Sequence, residues 1–161
     1  MQTTMDVRRS LLLVVDVQAR LAPAIDEGAA AVENNRRLLQ AAQPLQVPVL
    51  VTEHYPQGLG VTVEPLQAPM AAAGATVIEK IHFGATREPG FLERLRGFGR
   101  SQIVLTGMEA HICVLQTGLG LLEAGFALAV GAAPPASRPR ANPGAGRARP
   151  GRPRGPDRPP A

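Results

Sequence analysis

The chain has 161 residues, 45% of them hydrophobic and 19% charged, with one cysteine and a formal net charge of +4. That length suits one domain with a substantial core, while the single cysteine excludes an intrachain disulfide framework and no apolar run approaches the ~18 residues of a membrane helix. The charge is unevenly held: residues 1–130 carry ten Lys and Arg against twelve Asp and Glu, and residues 131–161 carry seven Arg against Asp157. The basic balance therefore belongs to the tail and implies no basic groove on the domain.

Residues 131–161 hold nine Pro, seven Arg, seven Ala and five Gly, and no Leu, Ile, Val, Met or aromatic residue. Such a segment cannot bury enough apolar surface to offset its ordering entropy, so it is expected to be disordered. The folding unit is expected within residues 1–130. Near the start, Arg8 and Arg9 precede a short apolar run that ends in Asp16. No secretory signal is expected from that pattern, and a lone thiol then points to the cytoplasm.

In chain order, Ser10–Val15 is a continuous apolar run of the kind expected for a strand covered on both faces. It ends in Asp16-Val17-Gln18. A carboxylate there stands where open α/β sheets bind ligands, although Asp is also a common turn or N-cap residue. Residues 29–45 predict a helix, 47–52 a second strand, and 53–60 a loop rich in turn residues. A short helix is expected within 63–73. A third strand at 75–78 runs out through Glu79 and Lys80, and the loop from His82 to Pro89 leads to a helix over 90–98. A fourth strand at 102–106 meets Gly107, and a helix runs from Cys113 to Gly125. Its leucines 115, 119 and 122, together with Val114 and Leu121, predict burial on most sides. Gly118 and Gly120 inside it cost about 1 kcal/mol each relative to Ala unless close packing needs them. A fifth strand opens at Phe126.

Strands alternating with helical patterns predict a three-layer α/β/α domain with a mostly parallel sheet. The carboxyl edge of that sheet is expected to gather Asp16, Glu53, Lys80 and the segment Gly107–Cys113. Cys113, in the first turn of a helix, would meet unpaired backbone N–H groups and the positive end of the helix dipole, which favour a thiolate. It is a candidate nucleophile; the competing reading is a buried, inert cysteine. Lys80 is the only lysine among seventeen basic residues. Its compact charge could support a thiolate or pair with Asp16, and Asp16 could take and return a proton.

These residues carry a resemblance. Leu12-Leu13-Val14-Val15-Asp16-Val17-Gln18, Val51-Thr52-Glu53-His54, Glu79-Lys80 with Phe83, and Gly107 through Val114 followed by Leu115-Gln116-Thr117 resemble the isochorismatase-like cysteine hydrolases. The Glu109-Ala110-His111 run is closest to the uncharacterised subgroup. The resemblance spans residues 10–130 and implies Cys113 as nucleophile, Asp16 as general base and Lys80 as electrostatic partner. It also implies a cis peptide at Met108–Glu109, an oxyanion hole from the N–H groups of Glu109 and Cys113, and attack on a small amide-type C–N substrate. The implied fold is a six-stranded parallel sheet between helices, in dimers or larger homo-oligomers. Metal-binding relatives carry Asp-x-His and a further His after strand two; here only Glu53-His54 stands there, so no metal and no cofactor are expected. His54, His82 and His111 are expected to be pocket-wall or structural residues.

The tail departs from the resemblance, which predicts further helix and a last strand after residue 130. A change of reading frame near residue 130 of a GC-rich coding sequence would yield Pro, Arg, Gly and Ala, and translating the other frames tests it. An arginine-rich tail that binds nucleic acid through phosphates ranks second, because it lacks aromatics and lysine. On either reading the sheet is expected to be short of its last strand and covering helix, leaving an apolar edge exposed. A catalytically defective member that acts only through self-association or partner binding is the alternative to the hydrolase.

Overall fold

The computed structural model describes residues 4–25, 27–108 and 110–131. Strand β1, Ser10–Val15, is buried at all six residues. An aliphatic run with no polar face is stable only between two layers, and β1 takes the centre of the sheet. The other strands are β2 (Val49–His54), β3 (Thr76–Lys80), β4 (Gln102–Gly107) and β5 (Ala127–Val130). They form a parallel sheet of five strands in the order β3-β2-β1-β4-β5. Val15 lies opposite Thr52 of β2 on one side and Gly107 of β4 on the other. The carboxyl ends of the central strands are therefore level, and chain order reverses between β1 and β4.

Side chains alternate across the sheet, so β1 feeds two cores. Leu12 and Val14 pack with Leu39, Val51, Leu66 and Met70 beneath helices α1 (Gly28–Ala42) and α3 (Glu64–Ala72). Leu11, Leu13 and Val15 pack with Leu95, Leu105 and Leu121 beneath α4 (Phe91–Gly97) and α5 (Leu115–Glu123). Each fully buried Leu contributes about 1.5–3 kcal/mol. The three-layer α/β/α architecture is as expected, with five strands among the described residues where the resemblance implies six.

Three local expectations are corrected. The stretch 53–60 contains a one-turn helix, α2 (Pro56–Leu59), because Pro56 occupies the first helical position where its missing N–H costs nothing. Cys113 lies in a π-helical turn, Ala110–Val114, and α5 begins only at Leu115. Helix α5 is not buried on most sides. Leu121 is fully buried, while Leu115, Leu119 and Leu122 are each about half exposed. Their spacing is that of one helix face, and that face points away from the sheet. The glycines of α5 are explained by contact: a Cβ on Gly118 would press Leu105 and Leu128, and one on Gly120 would overlap the Thr86 side chain. The disordered tail expected over 131–161 falls, from residue 132 onward, outside the described residues. Among the described residues no helix is long and apolar enough to cross a membrane.

Candidate active site

The site grows from the end of β1. Asp16 takes a left-handed backbone conformation, φ 55°, which Asp tolerates better than most residues. Its N–H still reaches the Thr52 carbonyl at 3.1 Å, so the chain turns out of the sheet without losing the ladder. The Asp16 carboxylate has no solvent exposure. The Thr52 hydroxyl donates to its Oδ1 at 2.8 Å, and Lys80 Nζ stands 2.8 Å from Oδ2 with both side chains fully buried. That ion pair is the contact of Oδ2 among the described residues. A carboxylate oxygen carries two lone pairs, so Oδ2 can accept a second donor beside the ammonium.

Lys80 ends β3 and reaches across β2 to the site. Its ammonium donates to the backbone carbonyls of His82 at 2.9 Å and Phe83 at 3.1 Å. These two bonds hold the ammonium beside Asp16. His54, the last residue of β2, brings Nδ1 to 3.4 Å from Lys80 Nζ and stacks on Phe83, ring centroids 5.4 Å apart. His82 pairs instead with Glu88 at 2.8 Å. Glu88 also accepts from the Ile81 N–H. The hydrogen bond to His82, more than the one to Ile81, lowers the Glu88 pKa below the usual carboxylate range, against a smaller opposing effect of burial. This loop, 81–88, is thus closed by Glu88 and offers its carbonyls to Lys80.

β4 delivers Cys113. Gly107 leaves the strand at φ 151°, where a Cβ would overlap the Val15 carbonyl oxygen, so only glycine fits the close approach of β4 to β1 there. Met108 N–H then bonds the same carbonyl at 3.0 Å. Cys113 follows in the π turn, 4% exposed and packed in the same core cluster as Val15 and Ala85. A π turn adds a residue to the helical circuit and is frequent where a side chain must be aimed.

The structure thus brings Asp16 and Lys80 into contact and sets Cys113 on the same face of the sheet, across the reversal between β1 and β4, where doubly wound sheets bind ligands. Glu53 is not brought to this cluster. It alternates with Thr52 and His54 and faces the other side of β2, where its carboxylate accepts from the Thr62 N–H and hydroxyl. Glu109, and with it the Met108–Glu109 peptide, lies outside the described residues, as does the side chain of His111. Among the described residues no group of three or more His, Cys, Asp or Glu is placed to hold a metal. Sequence reasoning missed the Thr52 donor and the Gln18 clamp, whose side chain bonds His54 N–H, His54 O and Gly60 O. Both residues stand in the motifs quoted above, which do not give their hydrogen-bond partners.

Fold and site together define a doubly wound parallel α/β protein with a buried Asp–Lys ion pair and a buried cysteine near its topological switch point. The model of the isochorismatase domain matches residues 10–135, and the chain belongs to that family. It is 36% identical over 123 residues to isochorismatase domain-containing protein 2 of Danio rerio, covering 76% of this chain and 60% of that relative. A solved structure of a MAR1 ribonuclease from Caenorhabditis elegans superposes with a TM-score of 0.72 at 36% identity, covering 78% of this chain and 64% of that one. The Escherichia coli YcaC gene product, described as an octameric hydrolase of unknown specificity, matches the fold with a TM-score of 0.72 at 24% identity, over 81% of this chain and 65% of its own. The chain thus spans about three fifths of the length of these three proteins, and 38% of isochorismatase domain-containing protein 1 of Salmo salar.

Proposed function

We propose that this protein is a hydrolase of the isochorismatase family that cleaves a small amide-type C–N bond through Cys113. The observation that carries the reading is the Asp16–Lys80 ion pair, fully buried at the end of β1, with the chain's only cysteine buried in the same core cluster as Val15. Burying two charges costs several kcal/mol per ion even when they pair, so stability alone explains the arrangement poorly.

Asp16 Oδ2 takes the Cys113 thiol proton, and the thiolate attacks the substrate carbonyl carbon. Lys80 offsets the negative charge gathered by the carboxylate and the thiolate. Backbone N–H groups of Glu109 and Cys113 hold the tetrahedral oxyanion. Collapse expels the amine, which leaves with the proton from Asp16. A water then gives its proton to Asp16 and adds to the thioester, and breaking the C–S bond releases the acid and restores the thiol. His54 and Phe83 form one wall of the substrate space. The protein acts on a small molecule, requires no cofactor, and works as a homo-oligomer.

The first test is the alkylation rate of Cys113 against pH in native and denatured protein, beside a panel of small amides. The native thiol is expected to react faster than the denatured one at neutral pH, and to lose that advantage in Lys80→Ala. Cys113→Ser is expected to abolish hydrolysis while folding normally. Equal native and denatured rates, or a native thiol that never reacts, would return Cys113 to the core. The ribonuclease name of the nematode relative sets a second reading, and an RNA oligonucleotide belongs in the same panel. Cleavage of RNA that survives Cys113→Ser would favour it over the amide reading.

A further inference from the structure

We infer that Glu88 is a positioning residue for the site: it braces the loop whose carbonyls hold the Lys80 ammonium, and through that ammonium it sets the reactivity of Cys113. The inference rests on the role proposed above for Lys80 beside Asp16 and Cys113.

The stretch that meets the ammonium has little of its own to hold it. Residues 81–84 lie in no helix or strand. Among the described residues no N–H of 81–83 bonds a backbone carbonyl. Ile81 and Phe83 are 71% and 58% exposed, so apolar burial anchors the stretch weakly. The stack of Phe83 on His54 steadies one ring. Yet the His82 and Phe83 carbonyls stand 2.9 and 3.1 Å from Lys80 Nζ, on a side chain that is fully buried. A buried ammonium that loses such acceptors keeps its desolvation cost, so the place of these two carbonyls decides where the charge sits.

Glu88 supplies the missing bonds. Its Oε2 accepts from the Ile81 N–H at 3.2 Å and meets His82 Nδ1 at 2.8 Å. A carboxylate only accepts, so the His82 ring donates there. The two bonds tie down both residues that precede Phe83. Glu88 is in turn fixed to the body of the protein. Its N–H bonds the Ala85 carbonyl, and its own carbonyl accepts from the Phe91 N–H at the start of α4. Ala85 is fully buried, and its N–H donates to the Thr117 hydroxyl of α5 at 3.0 Å. A chain of contacts thus runs from α5 through Ala85 and Glu88 to the carbonyls around Lys80. The side-chain hydrogen bonds of Glu88 go to the loop, so its effect on the thiol passes through Lys80.

The alkylation rate of Cys113 in the native full chain at neutral pH, with iodoacetamide as the probe, tests this without a substrate. Glu88→Ala is expected to lower the rate about fivefold, the effect of roughly one net hydrogen bond. His82→Ala removes only the ring bond and is expected to lower it by less. So is Glu88→Gln, whose amide oxygen still accepts from the Ile81 N–H. Added to Lys80→Ala, Glu88→Ala is expected to change nothing further, because the brace then has no ammonium to place. Glu93→Ala, at an exposed glutamate of α4, is expected to keep the parent rate. Circular dichroism checks each fold, and His82→Ala carries the test if Glu88→Ala does not fold. An unchanged rate in the folded loop variants, while Lys80→Ala slows the reaction, overturns this inference alone. So does an equal loss from Glu88→Ala with and without Lys80, the mark of a general loosening. A Lys80→Ala variant as reactive as the parent overturns the proposed role of Lys80, and this inference with it.

Discussion

Asp16 shows how much one residue is asked to do. It holds a left-handed backbone, ends the central strand, and buries a charge that two side chains satisfy. Removing one partner of a buried pair leaves the other charge uncompensated and costs about 3–5 kcal/mol. Asp16→Asn is therefore expected to lose that much stability in urea unfolding as well as hydrolysis. Thr52→Val deletes the donor to Oδ1 while keeping the β-branched shape, and a loss of about 1–3 kcal/mol is expected. Cys113→Ala keeps the Asp16–Lys80 pair and the Thr52 donor in place, and it is expected to cost less stability than Asp16→Asn in the same assay. A Cys113→Ala variant as unstable as Asp16→Asn would mean that the thiol is a packing residue first.

The loop 81–88 is the element on which Lys80 depends. Its carbonyls hold the ammonium, and Glu88 holds the loop through His82 and the Ile81 N–H. Because folding lowers the Glu88 pKa below its ordinary 4.5, its stabilisation is complete above that value and is lost as pH falls through the lowered one. Glu88→Gln should flatten that part of the acid limb of the stability curve, and equal slopes in both proteins would contradict it. Helix α5 has a comparable dependence on Gly120, which lets it close on Thr86. Gly120→Ala adds helix propensity but forces that contact apart, so a net destabilisation of about 1–3 kcal/mol is expected in the same unfolding assay.

At the scale of the whole molecule, protection should follow position in the sheet. β1 is central and wholly buried, whereas β5 is short, lies at one edge, and is exposed or partly exposed at all four residues. Amide exchange of β1 is expected to require global unfolding, and that of β5 local opening only. Similar rates in β1 and β5 would mean that the sheet opens as one unit.

The layer order and most of the strands are legible in the sequence, because continuous aliphatic runs such as Leu11–Val15 have few places to go except between two layers. The sequence also marked Asp16, Lys80 and Cys113, since a lone cysteine, a lone lysine and a strand-end carboxylate stand out against the composition of the chain. The tertiary structure decided what spacing leaves open. Glu53 and Thr52 are neighbours in sequence, yet pleating sends one to each face, and only strand register puts Thr52 against Asp16. The leucines of α5 read as core because a helical stripe says which residues share a face and not which way that face points. The packing of Gly118 on the sheet and Gly120 on Thr86 turned Leu115, Leu119 and Leu122 outward, and a contact between distant segments has no signature in local periodicity.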